Sequence, residues 1–120
     1  MTRMQSFSKA ENELLPKFRK MTNEAESTED VKKFFVYCMQ ELFTHVSDGR
    51  LEPRFEDVGL LPEGEKLFFI SESLRSREAF AEVWQESDLP QIVSRFAHLA
   101  VARYKHLETN PRKSEAKIRK

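Results

Sequence analysis

The sequence is poor in the residues that build turns, cross-links and membrane spans. Three glycines and five prolines in 120 residues leave little turn material, which disfavours a many-stranded sandwich and favours helices. A single cysteine, Cys38, excludes an intramolecular disulfide framework and a zinc site built on several thiolates. The longest apolar run, residues 34–39, is six residues long, against the roughly 20 that a membrane-spanning helix needs. The opening stretch, MTRMQSFSKAENELLPKF, has no continuous apolar segment of the kind a secretory signal carries. These absences describe a soluble, cytoplasmic chain in a reducing compartment, with no membrane partner.

Catalytic signatures are also scarce. There is no His-Glu-x-x-His, no glycine-rich phosphate loop and no Gly-x-Ser-x-Gly. Cys38 and His45 share a helical face but lie about 10 Å apart along the axis, too far for a nucleophile and its base. Cys38 therefore reads as a small buried hydrophobe. His45 follows Glu41 by four residues, a spacing that favours a local ion pair near a helix end. His98 and His106 are eight apart, and no histidine has Glu three positions before it, so the Glu-x-x-His element of helical di-iron sites is missing. The paired acids Glu56–Asp57 and Glu63–Glu65 read as a solvated, charge-rich loop. No catalytic residue, cofactor site or metal site is expected, and the balance is against an enzyme.

Net charge is absent overall, since 20 basic and 20 acidic residues cancel, but it is segregated along the chain. Residues 1–51 hold eight of each sign. Residues 52–88 hold four basic and ten acidic side chains, and residues 89–120 hold eight basic and two acidic ones. The folded arrangement decides whether these blocks neutralise each other or face partners.

What is present is helical periodicity with large apolar side chains, including ten phenylalanines. Phe7, Ala10, Leu14, Phe18 and Met21 form a first stripe behind a Ser8/Glu11 capping box, with Pro16 expected to kink or break the helix. A central helix over 28–47 opens on Ser27 or Thr28, carries Glu29 and Asp30 in its first turn and stops at Asp48-Gly49. Two more helices are expected over 76–87, capped by Ser76, and over 88–109, with Ser87 or Asp88 as cap and Pro90 in the first turn. Residues 50–75 are ambiguous. Either a helix starts near Pro62 with Leu67, Ile70 and Leu74 facing inward, which the helical context favours, or Pro62-Glu63-Gly64 turns a hairpin.

The expected fold is a single all-α domain of four or five packed helices over 1–110, followed by a flexible basic tail at 111–120. The alternative is α+β with one β-hairpin in residues 55–70. Phe34, Cys38, Leu42, Trp84, Phe96 and Leu99 are the expected core. The functional reading is a small cytoplasmic protein-interaction or regulatory module, with a protein partner or self-association. The alternative is binding of nucleic acid or another polyanion through Arg95, His98 and Lys105 on the last helix and Arg112 and Lys113 in the tail. No aromatic is interleaved with those charges for base stacking.

Overall fold

Apolar side chains three and four apart make the three long helices, and the computed structural model describes residues 5–109 of the chain. The helices are α1 (Ser8–Glu24), α2 (Thr28–Val46) and α5 (Leu89–Thr109). A short turn, 25–27, returns α2 antiparallel to α1. The α1–α5 contacts keep a nearly constant sequence offset: Phe7 with Asp88, Glu11 with Arg95, Ala25 with Arg103. These two helices therefore run parallel, with α2 antiparallel to both. Phe18 of α1 and Phe96 of α5 meet edge-on at 5.3 Å in the centre of this bundle, and Phe35, Met39, Leu42 and Phe43 fill it from α2.

The helix ends show how local chemistry sets the boundaries. Ser27 caps α2 by accepting the Asp30 amide. At the other end the Gly49 amide reaches the Thr44 carbonyl and the Asp48 amide reaches the His45 carbonyl. Asp48 and Gly49 both have positive φ (55° and 83°). That is a Schellman closure, and it explains why Asp-Gly ends the helix. The expected Ser8/Glu11 capping box does not form. α1 begins at Ser8 itself; the Ser8 amide donates to the Ser6 hydroxyl, and the amide of the preceding Phe7 donates across to Asp88. Glu11 turns instead to Arg95. Pro16 does not break α1. The bond it cannot make would go to the Asn12 carbonyl, and both residues are on the exposed face, where water substitutes.

Residues 55–70 form the hairpin rather than the helix near Pro62. A short 3₁₀ turn (Phe55–Asp57) leads into β1 (Val58–Leu60), which pairs antiparallel with β2 (Phe68–Ile70) in the register Val58 to Ile70 and Leu60 to Phe68. The hairpin forms although its loop holds Leu67 in the left-handed region at φ 68°, a cost for a residue with a Cβ, because Asp57 staples the strand ends. Its carboxylate accepts from the Arg54 amide and the Ser71 hydroxyl, both at 2.8 Å. The fold is thus helical with one small hairpin, and β1 rests on α2 and α5.

The expected helix over 76–87 is shorter, with Arg77 rather than Ser76 at its start and no side-chain cap, and a separate one-turn helix precedes it. Ser71, not Ser76, caps α3 (Glu72–Arg75), and α4 (Glu78–Trp84) follows after Ser76, which ends α3. A second aromatic cluster holds this part together: Phe80 stacks on Trp84 at 5.1 Å, with Phe43 and Phe68 alongside. Of the expected core, Cys38, Leu42 and Phe96 are buried. Phe34, Trp84 and Leu99 are only partly so, because each sits at the edge of its helix's apolar arc. The expected basic tail at 111–120 lies outside the described residues.

Candidate functional site

Two-residue alternation in the hairpin decides what lies on the surface. Val58 and Leu60 point into the core, so Gly59 and its cross-strand partner Phe69 face away from it. The Phe69 ring lies directly over Gly59: a Cβ added there would sit 2.3 Å from ring atom Cε2. Glycine at this position permits that close approach. On the neighbouring 3₁₀ turn, Phe55 projects against Tyr37 of α2 with ring centroids 5.9 Å apart.

These side chains are exposed to an unusual degree for their size. Tyr37 is 45% exposed, Phe55 48% and Phe69 40%. Phe55 and Phe69 form the lips of a groove of about 370 Å³ between the first half of α2 and the hairpin. Val36 and the β1 strand line its floor, and Lys32, Lys33, Glu29 and Glu56 stand around it. Lys32 is turned towards the Tyr104 ring, 5.7 Å from its centroid. The groove therefore offers apolar and aromatic area with charges of both signs at its margin, the composition of a protein-recognition surface.

The basic residues expected to hold phosphates are dispersed in role. Arg95 makes a two-pronged ion pair with Glu11, at 2.7 and 2.9 Å. The hydrogen bond from Arg95 to Glu11 is the main cause of its raised pKa. His98 is exposed and its Nδ1 donates to the Ser94 carbonyl at 2.8 Å. Lys105 is exposed about two turns further on. Arg112 and Lys113 lie outside the described residues. A fifth cation, Arg103, donates to the Asn23 and Ala25 carbonyls and so closes the C-terminal end of α1. Two arginines of α5 thus serve the fold.

Cys38 and His45 are not brought together: the thiol is buried and the imidazole is exposed. Burial pushes the Cys38 thiol up to about 12, with the Glu41 charge adding to the rise and Lys17 opposing it. Glu41 pairs with Lys17 of α1 rather than with His45. Asp57, expected in a solvated loop, is buried. The Arg54 amide, and after it the Ser71 hydroxyl, hold its carboxyl below the usual range against the opposing effect of burial. Among the described residues no three His, Cys, Asp or Glu side chains are grouped to hold a metal ion, and no helix is long and apolar enough to cross a membrane.

Periodicity located Tyr37 only as extra apolar surface beyond the α2 stripe, and the groove itself was missed. The available signal was Val-Gly-Leu set against Phe-Phe-Ile, a glycine opposite an aromatic in paired strands. In comparison with known proteins, the chain matches no family model, no curated protein and no solved structure.

Proposed function

We propose that this chain is a protein-interaction module, without a catalytic role, that seats a partner in the groove between α2 and the hairpin. The observation that carries this reading is the exposure of Phe55 and Phe69 at the lips of one groove, with exposed Tyr37 packed against Phe55. Large exposed aromatics that adjoin one another leave apolar surface in water, and such surfaces mark contact sites. Aromatic anchors also dominate the energetics of interfaces, because they bury much area with few rotatable bonds. A cytoplasmic setting belongs to the same proposal, since a lone buried neutral thiol suits a reducing compartment.

The polyanion reading has less behind it. Arg95 and Arg103 are engaged by α1, and among the described residues Lys105 and His98 alone make a thin phosphate track.

The test is a photo-crosslinking residue in place of Phe55 in the full chain, expressed in its own cells. One discrete adduct is expected, and it should disappear when Phe69→Asp is added. The same adduct from a crosslinker placed at exposed Lys20, or no adduct from position 55, would count against the groove.

A further inference from the structure

A second groove, of about 360 Å³, runs between the parallel helices α1 and α5 and shares no residue with the aromatic one. Its floor is Leu15, Leu99 and Ala102. Arg19 and His98 stand at its sides, and the Glu11–Arg95 pair closes one end. We propose that this groove docks an acidic amphipathic helix of a partner protein, with the partner's apolar stripe on Leu15 and Leu99 and its carboxylates against Arg19 and, beyond the groove, Lys105.

Charge and shape select that occupant. The one carboxylate in the lining, Glu11, is satisfied by Arg95 within the chain, so the groove is left with one unpaired charge, the cation Arg19. Among the described residues Arg19 is in no ion pair, and neither is Lys105, which continues the His98–Ala102 face of α5. His98 spends its Nδ1–H on the Ser94 carbonyl and forms a side wall of the groove. Leu15 and Leu99 are only partly buried although both pack on the core; a helix laid between α1 and α5 would cover the rest, in the helix-in-groove manner. From Glu11 to Arg19 the groove follows about two helical turns, roughly 12 Å.

Nucleic acid fits less well. An apolar floor does nothing for phosphates, and no aromatic lines the groove to stack bases. The acidic helix α4 of a second copy fits no better, because its apolar residues Phe80 and Val83 are buried in its own chain and cannot supply a stripe.

The experiment measures binding of the full chain to a synthetic capped helix with leucines along one face and glutamates flanking them, against the same helix with lysine for each glutamate. The acidic helix should bind about tenfold or more tightly than the basic one at low salt, and the gap should narrow as salt rises. Arg19→Glu and, separately, Ala102→Glu should each weaken binding about fivefold or more with the melting temperature unchanged, since both residues are exposed. Lys20→Glu, outside the groove, should change it less than about twofold. If Ala102→Glu disturbs folding, Arg19→Glu alone decides. Equal binding of the two helices, indifference to Arg19→Glu, or displacement by an RNA or DNA oligonucleotide would overturn the proposal. Self-association of the chain abolished by Arg19→Glu would also overturn it, by making a second copy the occupant.

Discussion

Asp57 shows how one side chain can hold a hairpin that has only three residues in each strand. Its two oxygens tie the start of β1 to Arg54 and to Ser71 at the end of β2, and its own carbonyl accepts the Ser71 amide at 2.7 Å. Because these donors favour the charged form, the folded-state pKa lies below the unfolded one. The stabilisation is therefore present above the ordinary aspartate value, about pH 4, and is lost as pH falls through and below it. Asp57→Ala should cost about 1–3 kcal/mol at neutral pH, and the gap to wild type in urea melts should shrink at acid pH. A gap independent of pH would mean that the carboxylate charge plays no part. Cys38 is a contrasting case. Its thiol is held neutral by burial, so thiol reagents should label it only as fast as the native protein opens. Phe96 is fully buried against Phe18, and Phe96→Ala should lower stability by about 3–5 kcal/mol in the same melts.

At the scale of elements, legibility followed length. α2 and α5 could be read from the sequence to within a residue or two, because stripes such as Val31, Phe35, Cys38, Leu42 and Val46 repeat long enough to exclude a strand. The hairpin could not, since three apolar residues per strand fit either period. What decided it was tertiary: the Asp57 staple and the fit of Phe69 over Gly59. α1 misled in a related way. Its Ser8/Glu11 pattern reads as a local cap, yet Glu11 is drawn across to Arg95, 84 residues away, and no local rule contains that partner. Gly59→Ala gives this scale its prediction. The added methyl must push the Phe69 ring aside, at a cost of about 1–3 kcal/mol. It should also weaken partner binding through the groove, because the lip is displaced. Undiminished stability in thermal melts would show that the ring moves freely and is not seated by the glycine.

For the whole molecule, the charge blocks are engaged by different parts of the fold: Arg50 meets Glu82 of the acidic block, and Arg95 and Arg103 of α5 meet α1. Among the described residues the ion pairs join Lys17 to Glu41, Arg50 to Glu82, Arg54 to Glu56 and Arg95 to Glu11. The candidate site was legible only as a surplus of aromatics over what one helical stripe can bury. Which of them stay outside depends on the hairpin, and so on the element that the sequence left open.

The central claim is that Tyr37, Phe55 and Phe69 are exposed for a partner and not for the fold. It is tested most directly by measuring thermal stability and partner capture side by side in the Phe55→Ser variant. With Phe55 48% exposed, stability should fall by about 1 kcal/mol or less, while retention of the adduct-forming partner should drop about tenfold or more, as for an interface anchor. A loss of several kcal/mol with capture intact would show instead that the Tyr37–Phe55 contact belongs to the core, and the interaction surface would have to be sought elsewhere.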